Sequence, residues 1–150
     1  MAKIKTLRNC PLFQDLGYRE LGVLAHQVKE ETAQKSTFLA EEGKPSQGLI
    51  VLKSGQVRLV NQQAEKTEVV LKAGDYFGEL SLVQGNGGVS RGVAAEVMEN
   101  CEFLRLDSVN YQLLALEWPD VAAKISDAVL RVIQRKLTDL RGVFSELLDR

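Results

Sequence analysis

Residues 76–97 read YFGELSLVQGNGGVSRGVAAEV, and the interpretation of the whole chain depends on this stretch. Gly78 comes directly before a short run, residues 79–82, whose composition is compatible with a helix. The first amides of a helix lack intrahelical partners, so they can bind an anion, and a glycine leaves the approach open. Arg91 follows across a glycine-rich loop and can bring a guanidinium group to the same anion.

Glu79 lies in the same stretch, although a site that binds only an anion would not be expected to contain a carboxylate. Carboxylates accept hydrogen bonds from neutral hydroxyl groups such as those of ribose. A ligand with one phosphate and a nearby ribose hydroxyl would satisfy both Glu79 and Arg91. The alternative is that Glu79 caps a helix and Arg91 is a surface charge. The glycines of residues 85–88 are not a phosphate-binding P-loop, because no Lys-Ser/Thr pair follows them.

Around this stretch, from about residue 28 to 107, short apolar runs alternate with Gly, Asn, Asp and Pro. Such regular runs predict a sandwich or barrel-like β structure, and the polar residues 61–67 predict a hairpin loop. The glycines at positions 43, 55, 74 and 78 fall at run boundaries, where a positive φ or a close backbone approach is often needed. The runs are residues 38–40, 49–52, 57–60, 69–71, 93–97 and 103–106.

Helices are predicted on both sides of the β region. Before it, from about residue 9 to 27, Pro11 is suited to a helix start, leucines recur at helical spacing, and Asp15 or Gly17 can divide the segment. After it, from about residue 108 to 148, Asp107 or Ser108 can cap one helix, and Pro119 can open another that runs nearly to residue 150.

The last helix carries an apolar heptad seam, with spacings of 3, 4, 3, 4 and 3. This pattern is typical of helices that pair, and it predicts a parallel homodimer. The alternative, that the stripe packs on the chain's own β region, is equally compatible with so short a seam. The seam residues are Leu130, Ile133, Leu137, Leu140, Phe144 and Leu147.

Composition narrows the function classes. The net charge of −1 over 150 residues gives no general attraction to nucleic acid or to an anionic membrane, and no apolar run approaches the ~20 residues of a membrane span. Cys10 and Cys101 have no metal-binding spacing, so we expect two reduced, buried thiols in a cytoplasmic protein. We expect His26, the single histidine, to be partly buried and not a metal ligand. No catalytic constellation is recognisable, so we expect no enzyme activity.

The residues quoted above resemble the cyclic-nucleotide-binding domain family, in the β-roll form of the catabolite activators and the protein kinase A regulatory subunits. That family carries the cassette F-G-E-[LI]-[AS]-L, a short loop and R-[ST]-A, and this chain has FGELSL at residues 77–82 and RGVA at residues 91–94. The resemblance extends over about residues 9–140. It implies a jelly-roll-like double-stranded β-helix with N-terminal helices and a long C-terminal helix, forming one domain over residues 1–150.

The resemblance also implies roles for the site residues. Glu79 would bind the ribose 2′-hydroxyl, Arg91 would bind the cyclic phosphate, and the long C-terminal helix would close over the base. The phosphate cradle would be completed by the backbone amides of Gly78, Leu80, Ser81, Gly92 and Val93. No metal or cofactor is implied besides the nucleotide ligand.

The cassette departs from the family pattern at three places. The loop between Leu82 and Arg91, which contains residues 84–88, is longer than usual, Val89-Ser90 replaces a frequent proline, and Gly92 replaces Ser or Thr. Family members with Thr at the last position tend to accept cGMP, so Gly92 favours cAMP. The alternative is a degenerate β-roll that no longer binds nucleotide and acts in dimerisation or protein interaction.

The resemblance to catabolite activators does not extend to their DNA-binding part. Only residues 148–150 follow the seam, so we expect no helix-turn-helix and no nucleic-acid partner. The expected partners are a cyclic nucleotide, a second copy of the chain and a protein effector, with no membrane.

Overall fold

The computed structural model describes residues 2–41, 43–44, 47–61, 67–84 and 93–148. The helical elements are α1 (Ala2–Arg8), a single 3₁₀ turn (Pro11–Phe13), α2 (Tyr18–Ala25), α3 (Leu80–Gln84), α4 (Ser108–Glu117) and α5 (Pro119–Leu148). The strands are β1 (Lys29–Ala33), β2 (Phe38–Ala40), β3 (Leu49–Asn61), β4 (Thr67–Leu71), β5 (Tyr76–Phe77) and β6 (Val93–Leu106).

The strands form an antiparallel sheet whose centre is the pairing of β3 with β6. Its order is β1-β6-β3-β4, with β2 paired to β6 and β5 paired to β3. The register runs from Leu49 opposite Leu106 to Asn61 opposite Val93, with irregularities between positions 52 and 57. This is the predicted mainly β fold with flanking helices.

Two apolar clusters pack on opposite faces of the same strands. Leu49 and Val51 lie in a cluster with the helices, whereas Ile50 and Leu52 lie in the cluster inside the roll. Side chains alternate between the faces of a strand, so burial of both faces explains the uninterrupted apolar run of residues 49–52.

The helical layer is fixed to the sheet by polar contacts as well as by apolar packing. The Asp107 carboxylate accepts a hydrogen bond from the Asn110 amide at 2.7 Å, so it caps α4 as predicted. The buried Tyr111 hydroxyl donates to the Ala122 carbonyl oxygen at 2.9 Å and contacts the Ser126 hydroxyl, which joins α4 to α5. The start of α5 is thereby held against the preceding helix.

Two ion pairs join α5 to the N-terminal segment. The Lys124 ammonium lies 2.9 Å from the Glu20 carboxylate, and the Arg131 guanidinium lies 2.5 Å from the Asp15 carboxylate. Lys124 and Arg131 are two helical turns apart and share one side of α5. These two pairs are called the clasp below.

The structure differs from the sequence-based expectations in the N-terminal segment and at the start of the β region. Helix α1 begins at Ala2, earlier than the expected start near residue 9, because Leu7 is fully buried and the Lys3 ammonium donates to the Val28 carbonyl oxygen at 3.1 Å. Strand β1, KEETA, was not predicted because it lacks apolar alternation; it is paired along β6. His26 is exposed at the end of α2, so the expectation of partial burial was wrong.

Candidate functional site

The cassette begins at a backbone turn that only glycine fits. Gly78 follows β5 with φ 84°, and a Cβ atom there would overlap the carbonyl oxygen of Gly48. Gly48 itself has φ 102°, and a Cβ on it would lie 2.5 Å from the Leu106 carbonyl oxygen. The backbone at the start of the cassette therefore lies in close contact with the residue before β3, and that residue in turn lies against the end of β6.

The short helix α3 follows the turn, as predicted from Gly78. The Ser81 amide donates to the Gly78 carbonyl oxygen at 3.2 Å, and the Ser81 hydroxyl donates to the same oxygen at 2.7 Å. Leu80 is 40% exposed, whereas Ser81 is buried. The Ser81 amide, assigned to the phosphate cradle, thus has a partner in the protein that a ligand would have to share or replace.

Glu79 is a buried carboxylate, only 8% exposed, between the turn and α3. Its negative charge raises the pKa of two neighbouring groups, Cys10 and Tyr76. Burial raises the pKa of the Cys10 thiol to about 12, and the Glu79 and Asp75 carboxylates add to the increase while a backbone hydrogen bond from Leu12 opposes it. Burial also raises the pKa of Tyr76, with smaller increases from Glu79 and Cys10 and a decrease from Arg135. Neither Cys10 nor Arg135 was expected near the cassette from the sequence.

Of the other predicted site residues, Arg91 and Gly92 lie outside the described residues, as do the loop of residues 85–88 and Val89-Ser90. Val93 is described by its backbone, which opens β6 opposite Asn61. The convergence of Glu79 and Arg91 on one ligand therefore remains a prediction.

Helix α5 packs on the cassette helix. It contacts α3 directly, and Leu82 shares an apolar cluster with Val129 and Ile133. A change in the position of α3 would also displace the residues of α5 that pack on it, because tightly packed interiors transmit small displacements.

Val69, on strand β4, is an exposed apolar residue of the inner face of the roll. Val69 lies opposite Leu59, and the side chain of Leu59 packs on the cluster inside the roll. Val69 is also two residues before the buried Leu71 on the same strand. By strand alternation Val69 belongs to the same face, yet it is 54% exposed. This face therefore offers apolar surface on which a planar ring can pack.

The first two residues of the heptad seam lie in different environments. Ile133 packs partly buried against the protein's own core, whereas Leu130 is 48% exposed. The four later seam residues lie within α5, and their side chains are outside the described part of the structure.

Residues on another side of α5 line an open groove of about 360 Å³: Arg131, Gln134, Arg135 and Thr138. All four positions lie outside the heptad seam. Their spacing of i, i+3, i+4 and i+7 marks one helix face, but nothing in the sequence indicates a groove there.

Neither a metal centre nor a membrane span is found among the described residues. No three potential ligand side chains cluster there, and none of the helices described is long and apolar enough to cross a bilayer. Cys10 and Cys101 are both buried and unpaired, as expected.

Comparison with known families agrees with this geometry. Residues 30–115, more than half of the chain, match the family model of the cyclic nucleotide-binding domain. The chain belongs to the cyclic nucleotide-binding domain family.

Among characterised relatives, the chain is 27% identical over 128 residues to the cyclic AMP receptor protein of Thermus thermophilus, covering 83% of this chain and 58% of that protein. It is 29% identical over 77 residues to the cAMP-dependent protein kinase regulatory subunit of Yarrowia lipolytica, covering 51% of this chain. It spans only 20% of that subunit's length.

Solved structures show the same fold. The N-terminal domain of a transcriptional regulator from Streptomyces coelicolor A3(2) superposes with a TM-score of 0.73 at 27% identity, over 87% of this chain and 94% of that one. The Thermus thermophilus catabolite activator protein superposes with a TM-score of 0.71 at 25% identity, over 89% of this chain and 62% of that one. The domain is thus a regulatory module of the cyclic nucleotide-binding type.

Proposed function

We propose that this domain is a cAMP sensor without catalytic activity, in which Glu79 binds the ribose 2′-hydroxyl and Arg91 binds the cyclic phosphate. The observation that carries the proposal is the burial of Glu79 directly after the Gly78 turn. Hydrogen-bond donors stabilise a buried carboxylate, and the ribose 2′-hydroxyl of a bound nucleotide would be one such donor.

The preference for cAMP rests on Gly92 and on relatives. Gly92 offers no side-chain hydroxyl to a guanine amino group. The relatives from Thermus thermophilus and Yarrowia lipolytica are both named for cAMP. The exposed Val69 supplies apolar surface suited to either purine, so it does not contribute to the preference.

The output of the sensor is proposed to pass through α5. This helix contacts α3 on one face and the N-terminal segment through the clasp, so a ligand that repositions α3 biases where α5 lies. We propose that the distal part of α5 forms a parallel homodimer or contacts a protein effector. Two unpaired thiols support a reducing, cytoplasmic setting.

The test is a thermal-shift series with cAMP, cGMP and 5′-AMP, the last being a control with the same base and sugar but no cyclic phosphate. At ~100 times its dissociation constant, a ligand adds about 2.7 kcal/mol to stability, which raises Tm by roughly 5–10 °C. We expect a shift with cAMP, a smaller one with cGMP and none in the Arg91→Ala variant. If neither cyclic nucleotide shifts the wild-type protein, the degenerate interaction module is the better description.

A further inference from the structure

Ser81 makes two hydrogen bonds of unequal length to the Gly78 carbonyl oxygen. The hydroxyl donates at 2.7 Å, the usual distance for an O–H···O hydrogen bond, whereas the amide donates at 3.2 Å, at the long end of the N–H···O range. A carbonyl oxygen has two lone pairs, so it can accept both bonds at once. The bond from the amide is therefore the weaker of the two, and its loss would still leave the oxygen with a donor.

The two bonds close the turn that carries Glu79, which is buried. Ser81 itself is 6% exposed, so water has little access to its hydroxyl. A serine hydroxyl that donates to a backbone carbonyl three residues earlier fixes the local backbone much as a backbone amide would. The hydroxyl can therefore hold the turn closed without the help of the Ser81 amide.

The proposed function gives the Ser81 amide a second acceptor, because it includes this amide in the cradle of the cyclic phosphate. An amide has one proton, and a charged phosphate oxygen forms shorter and stronger hydrogen bonds than a neutral carbonyl oxygen does. The phosphate would therefore draw the amide away from Gly78. If the amide were the turn's sole bond, the turn would open just when Glu79 has to meet the ribose.

We infer that the Ser81 hydroxyl is a positioning group for the nucleotide: it holds the Gly78 carbonyl oxygen when the Ser81 amide turns to the cyclic phosphate, and it thereby keeps Glu79 in place. The inference rests on the proposed function and adds to it a side-chain group that acts through Gly78 and not by contact with the ligand. Loss of the hydroxyl should therefore weaken the nucleotide-bound state more than the ligand-free state.

The first test is calorimetric titration of the full chain with cAMP. Ser81→Ala removes the hydroxyl, and it should fold because the family cassette accepts Ala or Ser at this position, as circular dichroism can check. We expect its affinity for cAMP to fall by about three- to tenfold, the range for one net hydrogen bond.

The matched control is Ser54→Ala, on β3 and outside the cassette. It removes a serine hydroxyl that accepts a hydrogen bond from the Glu102 amide at 3.3 Å. The affinity for cAMP should stay within about twofold of wild type, because this hydroxyl has no part in the turn that carries Glu79.

The second test separates transfer of the amide from a merely structural effect of the hydroxyl. It follows the amide proton of residue 81 by NMR of the ¹⁵N-labelled protein as cAMP is added. In wild type the signal should move downfield, because the acceptor changes from a neutral carbonyl oxygen to a charged phosphate oxygen. In Ser81→Ala the change should be smaller, because the Gly78 carbonyl oxygen and the phosphate then compete for one proton.

The inference is overturned if Ser81→Ala binds cAMP within about twofold of wild type, if it loses no more affinity than Ser54→Ala, or if the amide signal of Ser81 does not move in wild type. Each of these results would leave the proposed function intact, because wild type would still bind the nucleotide. A wild-type protein that binds no cyclic nucleotide would overturn the proposed function and this inference together.

Discussion

The carbonyl oxygen of Gly78 accepts two hydrogen bonds from Ser81, one from the amide at 3.2 Å and one from the hydroxyl at 2.7 Å. These bonds close the turn that carries Glu79, and they do so at a glycine whose backbone is left-handed. The position of the buried carboxylate thus depends on a turn that no other residue type can form without displacing the backbone of Gly48.

The first prediction concerns the cost of a side chain at this turn. Gly78→Ala should destabilise the domain more than Gly74→Ala, because both glycines have a positive φ but only Gly78 has a backbone oxygen where the Cβ atom would lie. We expect a loss of about 1–2 kcal/mol for Gly74→Ala from backbone strain alone, and about 1–3 kcal/mol more for Gly78→Ala. Urea denaturation of both variants measures the difference, and equal losses would contradict the prediction.

The second prediction concerns Glu79. Glu79→Gln keeps the shape of the side chain but removes a charged acceptor, so the affinity for cAMP should fall by roughly 10–100-fold in calorimetric titration. Loss of the negative charge should also lower the pKa of Tyr76, which Glu79 raises, and tyrosine absorbance during a pH titration can follow this change. In the control variant Glu99→Gln, at an exposed position of β6, neither the affinity for cAMP nor the pKa of Tyr76 should change. An unchanged affinity in Glu79→Gln would remove the carboxylate from the ligand site.

The third prediction concerns selectivity. Gly92→Thr adds the hydroxyl group that the family pattern associates with cGMP. The ratio of the affinity for cAMP to the affinity for cGMP should therefore fall or reverse, provided that the backbone accepts a β-branched residue. Gly92→Ala is the matched control, because it adds a side chain without a hydroxyl. Competition binding with both nucleotides measures the ratio. A wild-type protein that already favours cGMP would contradict the argument from Gly92.

The fourth prediction concerns pH. The pKa of Cys10 is raised from 9.0 to about 12 in the folded protein, so the folded state retains a proton that the unfolded chain loses. The stability contributed by the neutral thiol is therefore complete below pH 9 and declines as the pH rises toward 12, by a few kcal/mol at most. Cys10→Ala should show a smaller alkaline loss of stability than wild type.

The matched comparison for this effect is Cys101→Ala, which keeps the Cys10 thiol and should follow the wild-type profile more closely. The measurement is urea denaturation at a series of pH values above 8. If Cys10→Ala and wild type lose stability in parallel, ionisation of the Cys10 thiol does not contribute to alkaline unfolding.

The elements that the sequence predicted well are those whose signal is local. Gly78 before a helix-compatible run, Asp107 before α4 and Pro119 at the start of α5 each act through their own backbone neighbours. The apolar run of residues 49–52 indicated burial correctly, although only the structure shows that alternate side chains serve two different clusters.

The features that were missed depend on contacts distant in sequence. Strand β1 is polar and is stabilised by its pairing with β6, including an ion pair between Glu31 and Arg105 at 2.8 Å. The proximity of Cys10 to Glu79 arises because the N-terminal segment folds back onto the cassette. No pattern along one strand or helix contains such information.

The fifth prediction concerns the distal part of α5. Ile133 already packs on the protein's own core, so this position of the heptad seam is occupied within one chain. Leu130 is exposed, and the heptad pattern continues from it through positions 137, 140, 144 and 147, so pairing with a second copy of the helix would cover this apolar stripe.

We expect Leu137→Glu combined with Leu140→Glu to give a folded monomer, because two charges at heptad positions oppose helix pairing. Ile133→Glu should instead destabilise the domain itself, by roughly 1–3 kcal/mol, since it places a charge against the apolar cluster. Sedimentation analysis measures the oligomeric state, and urea denaturation measures the stability of each variant. A wild-type protein that is monomeric at high micromolar concentration would exclude the dimer and leave the stripe to contacts within one chain or with an effector. Gly142 lies within this part of the helix and disfavours the helical state by about 1 kcal/mol relative to Ala, so pairing should also raise the helix content detected by circular dichroism as concentration increases.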